Sequence, residues 1–156
     1  MVIQRWQSVL LLIAAVMMGI FTFFSLGQVQ LTDYTLNFTT LGFQIEGEST
    51  GGAPSGYICR TWLFFAVSLL SSLLPLINIF LFKDLRLQAR VCLIEVLILL
   101  AVLAAGCAYG YYQFDDAQVS WSSLIIAPLI AFVADIMAYN RISHDRRLLR
   151  ESSRLR

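Results

Sequence analysis

Long apolar blocks alternate with short polar segments along this chain, and the blocks determine its architecture. Four of them cover residues 7–26, 61–82, 91–112 and 121–139. A helix needs roughly 20 mostly apolar residues to cross a hydrocarbon core of about 30 Å, and each block has about that length. The pattern therefore predicts an all-α membrane protein, a four-transmembrane-helix bundle that forms one domain over residues 1–156.

Residues 28–56 form the one sizeable loop between the predicted helices. Apolar and polar residues alternate over residues 34–39 and again over residues 43–46, with Gly42 between them. Period-two alternation rich in Thr and aromatic residues predicts two strands joined by a turn. Because a lone hairpin is marginally stable in water, we expect a small extracytoplasmic β-hairpin that rests on the helix ends.

The basic residues fall almost entirely on one side of the predicted bundle. If every block crosses the membrane, ten of the eleven Lys and Arg residues lie on the side of the chain ends, and Arg60 alone lies opposite. Basic residues near membrane ends orient a protein toward the cytoplasm, so we expect both termini there. Cleavage of the first block as a signal peptide is the alternative, although signal sequences usually have an apolar region of only 7–15 residues.

Each predicted helix contributes one polar residue to a layer near the cytoplasmic helix ends. Glu95 and Asp135 lie about one turn from the inner ends of the third and fourth blocks. Those helices run antiparallel, so the two carboxylates should lie at a similar depth. A carboxylate within the bilayer costs roughly 2.5–3.5 kcal/mol, so both should face the bundle interior. Gln7 and Asn78 fall near the same level and complete the predicted intramembrane polar cluster.

Two interpretations of this cluster remain open. Two adjacent carboxylates in a low dielectric tend to share a proton, and transporters use such sites. Alternatively, the acids form ion pairs with long basic side chains that reach the same level. The candidates for such pairing are Arg86, Arg90 and Arg141.

The basic residues of the cytoplasmic side form a candidate docking surface for anionic lipids or a protein partner. The tail over residues 141–156 has apolar residues near helical spacing, which predicts a basic amphipathic helix lying on the inner leaflet. Each basic group near an anionic surface contributes about 1 kcal/mol. The candidate residues are Lys83, Arg86, Arg90, Arg141, Arg146, Arg147, Arg150, Arg154 and Arg156.

Small residues four positions apart predict two faces for close helix packing. Ala15 and Gly19 form one in the first helix, and Gly106 and Gly110 form the other in the third. Small side chains allow two helix backbones to approach closely. The partner is another helix of the bundle or a second copy of the chain, so a homo-oligomer remains open.

No group of residues in the sequence indicates catalysis, a metal or a cofactor. His144 is the only histidine and has no Cys or His neighbour. The three cysteines include no C-x-x-C spacing, so redox chemistry is unsupported. Cys59 and Cys107 fall toward the outer side, where either a disulfide or two free thiols remain open. We expect a non-enzymatic protein, and one that binds no nucleic acid because no aromatic platform accompanies the charge.

Three segments on the cytoplasmic side resemble a bacterial membrane family catalogued as domain of unknown function 4293, found mainly in Bacteroidota. Met1–Ser8 (MVIQRWQS) is similar to its opening M-I-Q-R-I-Q-S/T, and Phe82–Arg90 (FKDLRLQAR) to its turn F-K-N-R-x-L-Q-x-R. Asp145–Arg156 looks like its ending D-E-x-L-V-R-S-x-D-R-L-R, with Glu151 and Ser153 in place of Ser and Asp. The resemblance implies four helices in the inner membrane and no known activity, so it transfers no site residues.

Two functions are consistent with these features. The leading one is a non-enzymatic integral protein of a bacterial inner membrane, whose basic cytoplasmic surface docks lipids or a partner. The alternative is a small proton-coupled transporter or channel subunit that uses Glu95 and Asp135.

Overall fold

Helices make up most of the chain, and a small sheet caps one end of them. The computed structural model describes residues 2–30, 35–46, 57–81, 84–112 and 118–154. The helices are α1 (Val2–Phe23), α2 (Trp62–Phe80), α3 (Leu85–Tyr112) and α4 (Ala127–Arg154), and a 3-10 turn at Ser123–Ile126 precedes α4. Over the described residues, four helices are long and apolar enough to cross a membrane, in agreement with the four predicted blocks.

The four helices pack as a closed ring. α1 contacts α2 and α4, and α3 also contacts α2 and α4. Large apolar side chains such as Leu63, Phe80 and Leu97 remain exposed on the outside of the ring, as expected for a surface solvated by lipid. The basic end is defined here as the end where α1 and α3 begin and α2 and α4 finish; the opposite one is the sheet end.

Two helices are longer at the basic end than the apolar blocks predict. α3 begins at Leu85 rather than at residue 91, and α4 continues without interruption to Arg154. The segment after Tyr139 has no Gly or Pro to stop a helix. Ile142 within it is fully buried in a cluster with residues of α1 and α3. The prediction of a separate tail helix on the leaflet surface is therefore wrong: the tail is the continuation of α4.

The sheet contains the predicted hairpin and three further strands. Its strands are β1 (Gly27–Gln30), β2 (Thr35–Thr39), β3 (Gly42–Glu46), β4 (Tyr57–Arg60) and β5 (Gln118–Trp121), all antiparallel in the order β4-β3-β2-β1-β5. β2 and β3 pair from Thr39↔Gly42 outward, and Gly42 has a φ of 138°, which favours glycine. The prediction of a hairpin in this loop is confirmed. The predicted linker over residues 48–56 lies outside the described residues.

The sheet rests on the helix ends through apolar contacts and hydroxyl bonds. Phe38 stacks on Phe43 at a centroid distance of 4.7 Å, and both belong to the core that contains Phe21 of α1. The Thr40 hydroxyl donates to the Thr22 carbonyl at 2.6 Å, and the Thr61 hydroxyl donates to the Thr40 carbonyl at 2.8 Å. These contacts provide the support that a small sheet needs.

The bundle core has two apolar parts. The larger one fills the sheet-end half and includes residues from all four helices and from the sheet. The smaller one lies at the basic end and consists of Leu11, Ala89, Cys92, Ala138 and Ile142. Two acidic side chains, Glu95 and Asp135, are buried with them in the bundle interior.

Candidate functional site

Glu95 and Asp135 meet in the middle of the bundle. Both have 0% exposure, and their carboxyl groups lie within hydrogen-bonding reach of each other. Glu95 is near the centre of the membrane-compatible segment Leu85–Ala108, and Asp135 is near the centre of Ser123–Leu148. The similar depth agrees with the antiparallel arrangement. The prediction that each acid lies about one turn from the inner end of its helix is wrong, because both helices extend beyond the apolar blocks.

The expected ion pairs with arginine are absent among the described side chains. Arg86, Arg90 and Arg141 are exposed, and none forms a salt bridge with the two acids. A helix turns about 100° per residue. Arg90, five residues before Glu95, and Arg141, six residues after Asp135, therefore point away from the bundle interior. The structural interpretation of the acids as partners of arginine is thereby overturned within this part of the chain.

The four carboxyl oxygens of the pair accept no hydrogen bond from any donor in the described part of the chain. An ionised carboxylate can only accept, so two ionised groups in contact would repel each other in a low dielectric. A single proton between them removes one charge and supplies the missing donor. The arrangement of Glu95 and Asp135 is thus chemically suited to hold a proton as a pair.

A short polar chain leads from this pair toward the basic end. The Asn78 side-chain amide donates to the Cys92 sulfur at 3.1 Å, and Cys92 is buried close to both Glu95 and Asp135. The Gln88 side-chain amide donates to the Asn78 carbonyl at 3.4 Å. Asn78, Glu95 and Asp135 of the predicted cluster are therefore brought close together through Cys92.

The predicted polar cluster did not include Gln88, Cys92 or the buried serines of α2. A signal was available, because residues 88, 92 and 95 recur at the spacing of one helix face. Ser68, Ser71 and Asn78 also recur at the spacing of one face of α2, and all three are fully buried. The Ser68 and Ser71 hydroxyls form no hydrogen bond with any described group. The interior of the bundle is thus more polar than the hydropathy of the blocks predicts.

Gln7 lies near the basic end of the bundle and not beside the acidic pair. Its side-chain amide donates to the carboxylate of Asp145, which is ten residues beyond Asp135 on α4. Ten residues of helix correspond to about 15 Å, so Gln7 is not at the level of the acidic pair. The predicted four-membered layer is corrected to three members, because the extended α4 offers Gln7 a partner near the basic end.

The predicted basic surface is distributed over the ends of α3 and α4. Arg86, Arg90, Arg141 and Arg146 are exposed there. Arg147 is also exposed and pairs with Glu151 at 3.1 Å. The remaining candidates are Arg150 and Arg154, which lie farther along α4, and Lys83 and Arg156, which lie outside the described residues.

The predicted small-residue faces differ in what they contact. Ala15 is buried. A Cβ at Gly106 would lie 3.8 Å from the Phe64 ring of α2, so Gly106 faces a helix of the same chain. A Cβ at Gly19 would meet nothing within 4 Å, so no close packing occurs there. Gly110 lies on the last turns of α3.

An apolar pocket of about 420 Å³ opens in the sheet-end half of the bundle. Its lining comes from α1, α3, β5 and the start of α4, and includes Phe21, Val102, Leu103, Cys107, Trp121 and Ile125. Cys107 is a free, exposed thiol, so the open question of a Cys59–Cys107 disulfide is answered against the bridge. Among the described residues, no group of three or more His, Cys, Asp or Glu side chains could hold a metal ion.

The comparisons with known proteins identify a family but no activity. The family model described as domain of unknown function (DUF4293) matches residues 3–155, nearly the whole chain. No curated protein matches this chain. The matched region contains all four helices, the sheet and the buried acidic pair. The chain is therefore a member of the DUF4293 family, and its four apolar helices indicate a membrane protein.

Proposed function

We propose that this protein is a small proton-coupled transporter or channel subunit in which Glu95 and Asp135 bind the proton. One observation carries the proposal: two fully buried carboxyl groups meet near the centre of their spans with no basic side chain beside them among the described residues. Acidic residues in a membrane span are rare and generally serve ion or proton pathways. The proposed function is non-enzymatic.

The absence of arginine partners for the two acids among the described side chains supports the proposal. A buried acid that serves only stability is expected to have a cationic or hydrogen-bonding partner. Here each carboxyl has the other as its neighbour, and their oxygens lack a donor in the described chain. Replacing the pair by apolar residues would remove this cost, so the acids are best explained by a proton that binds and leaves.

A hydrophobic carbodiimide tests proton binding directly, because it reacts with protonated carboxyl groups in apolar surroundings. We expect dicyclohexylcarbodiimide to modify Glu95 or Asp135 in the purified protein at neutral pH, with the modified peptide identified by mass spectrometry. The exposed Asp84 serves as the internal control and should remain unmodified. Modification of Asp84 with none at the buried pair would contradict the proposal.

Transport is tested in proteoliposomes that contain a pH-sensitive dye. An imposed pH gradient should dissipate faster with the wild type than in protein-free vesicles, and Glu95→Gln should abolish the difference. Asp84→Asn is the matched control, since it neutralises an acid outside the bundle interior. Equal rates for wild type and Glu95→Gln would refute a role of the pair in proton movement.

We further infer that the protein lies in a bacterial inner membrane with both termini in the cytoplasm. The support is the concentration of Lys and Arg at the basic end, where the chain begins and finishes. A phosphatase and a fluorescent reporter fused after Arg156 distinguish the two orientations. We expect fluorescence without phosphatase activity, and the reverse result would place the termini outside.

Docking of anionic lipid or a partner at the basic end is the second candidate function. It is favoured by the extension of α4, which carries Arg141 and Arg146 as exposed residues on a continuous helix. Such groups attract anionic headgroups within a Debye length of the surface. This role is compatible with proton coupling, because it uses a different part of the molecule.

Lipid docking at the basic end is better tested by substituting its arginines than by removing the tail. Removal of residues 141–156 would also remove Ile142 and Asp145, which pack on α1. We expect Arg141→Gln/Arg146→Gln to retain less phosphatidylglycerol than the wild type, measured by native mass spectrometry. Arg60→Gln, on β4 at the sheet end, is the control. Equal retention by both variants would argue against a lipid role of the basic end.

A further inference from the structure

The apolar pocket and the acidic pair occupy the same faces of two helices. Val102 in the pocket lining lies seven residues after Glu95 on α3, and Pro128 in the lining lies seven residues before Asp135 on α4. Seven residues are two helical turns, or about 10 Å. The pocket therefore lies directly above the pair, on its sheet-end side.

One layer of side chains separates the pocket from the carboxyl groups. Leu99 lies between Glu95 and Val102 on α3, and Ala131 lies between Pro128 and Asp135 on α4. Both are fully buried in the sheet-end core. The layer is apolar, so the charge of the pair acts on the pocket through a low dielectric rather than through water.

The lining of the pocket combines apolar and aromatic groups. Phe21 and Trp121 contribute rings, and Leu103 and Ile125 contribute aliphatic surface. An indole ring is the aromatic group that attracts organic cations most strongly. A volume of about 420 Å³ is within the range of small-molecule sites.

The charged groups around the pair determine which ligand charge is favoured. α1 over Trp6–Phe23 and α2 contribute no titratable side chain. α3 contributes Cys92 beside the pair, α4 contributes Tyr139 one turn away, and the nearest arginines are exposed. The acids therefore supply the uncompensated charge of the interior in the described part of the chain. The pair carries one negative charge while it shares a proton and two once that proton leaves.

We propose that this pocket binds a lipophilic organic cation and that the cation competes with the proton held by Glu95 and Asp135. The inference rests on the proposed proton function and names the substrate class for it. Binding of the cation favours deprotonation of the pair, and protonation of the pair favours release of the cation. By reciprocity, the two ligands weaken each other to the same degree.

The test uses two ions of the same shape and opposite charge, tetraphenylphosphonium and tetraphenylborate. Binding to the detergent-purified protein is measured by calorimetry between pH 6 and pH 8. We expect the cation to bind at least tenfold more tightly than the anion, and its affinity to fall by up to about tenfold per pH unit on acidification. Glu95→Gln should remove this pH dependence.

Neighbouring isoleucines provide matched variants for the location of the site. Ile125 lines the pocket, whereas Ile126 is exposed outside the described lining. We expect Ile125→Trp to weaken cation binding at least fivefold and Ile126→Trp to leave it unchanged. Leu103→Trp and Leu100→Trp form a second such pair on α3, should the first variant fail to fold.

The outcomes separate this inference from the proton proposal. Equal binding of the two ions, pH-independent binding of the cation, or equal effects of Ile125→Trp and Ile126→Trp would each overturn the pocket assignment. If the carbodiimide still modifies the pair in that case, the proton function stands without this substrate. If the carbodiimide does not modify the pair, the proton function itself fails.

Discussion

At the residue scale, the environment of Glu95 and Asp135 decides their chemistry. Asp84 and Glu151 are also acidic but are exposed, so solvent stabilises their charge. Glu95 and Asp135 are fully buried and have no basic partner in the described chain. Their mutual contact is favourable only when one of them can donate a hydrogen bond. We therefore expect substitutions in this pair to change its hydrogen bonding as well as its charge.

Replacing Glu95 by two different residues separates the role of charge from that of packing. Glu95→Gln provides an amide that can donate to Asp135, so we expect stability equal to or above that of the wild type. Glu95→Ala leaves Asp135 buried without a partner, at a cost of about 1–3 kcal/mol. Thermal unfolding in detergent measures both variants, and an alanine variant as stable as the glutamine variant would contradict this reasoning.

At the element scale, the ends of the helices and strands are fixed by a few specific contacts. Gly42 allows the β2–β3 turn through its φ of 138°, and Thr40 beside it binds the end of α1. At the opposite end, Gln7 of α1 binds Asp145 on the extension of α4. Each end of the bundle thus has a polar contact that joins segments far apart in the chain.

Two glycine substitutions should have opposite effects. Gly42→Ala places a side chain where only glycine is favoured, which costs of the order of 1–3 kcal/mol. At Gly106 an added Cβ makes an ordinary contact with Phe64 at 3.8 Å, and Ala is about 1 kcal/mol better than Gly inside a helix. Gly42→Ala should therefore lower the unfolding temperature and Gly106→Ala should preserve or raise it. Similar shifts for both would be the contrary result.

The bond between Gln7 and Asp145 should hold the extension of α4 on the bundle. Hydrogen bonds to charged groups contribute about 1.5–3 kcal/mol, so Gln7→Ala should loosen the α4 turns around Asp145. Faster amide hydrogen exchange over residues 139–148, with no change over residues 127–138, is the expected signature. Gln44→Ala, at an exposed position on β3, is the control. Unchanged exchange in Gln7→Ala would mean that apolar packing around Ile142 suffices.

At the scale of the whole molecule, the bundle is divided into an apolar half with a pocket and a half with polar interior groups. Cys107 lines the pocket and is exposed, whereas Cys92 is fully buried beside the acids. The two thiols therefore report on the two halves. Their different surroundings follow from the ring of helices rather than from any local sequence feature.

Thiol alkylation should distinguish these halves. In a Cys59→Ser background, we expect N-ethylmaleimide to modify Cys107 at least ten times faster than Cys92, because reaction requires access to the thiolate. Denaturation should make the two rates similar. Peptide mass spectrometry gives both rates in one sample. Comparable rates in the folded protein would show that the interior near the acids opens to solvent.

Features that depend on composition could be predicted from the sequence. Features that depend on the rotation of residues around a helix, or on the pairing of strands far apart in the chain, were missed. Apolar length indicated the helices, and antiparallel order placed Glu95 level with Asp135. The helix extensions were missed because charged residues such as Arg86 give no hydropathy signal. The interpretation with arginine pairs failed because it considered the length of the basic side chains and not the rotation around the helix between Arg90 and Glu95. β1, β4 and β5 were missed because each is only four residues long, and β1 and β5 also pair with each other across most of the chain.

The ring also constrains the order of events during synthesis. α1 contacts α4, and β1 pairs with β5, so these contacts form only after β5 and α4 have left the ribosome. Glu95 precedes Asp135 by 40 residues, so α3 leaves the ribosome before α4 does. We expect Glu95 to insert in its neutral form and to acquire its acidic neighbour only when the last helix arrives. If the pair acts as proposed, its proton would then be bound at Glu95 before α4 packs against α3.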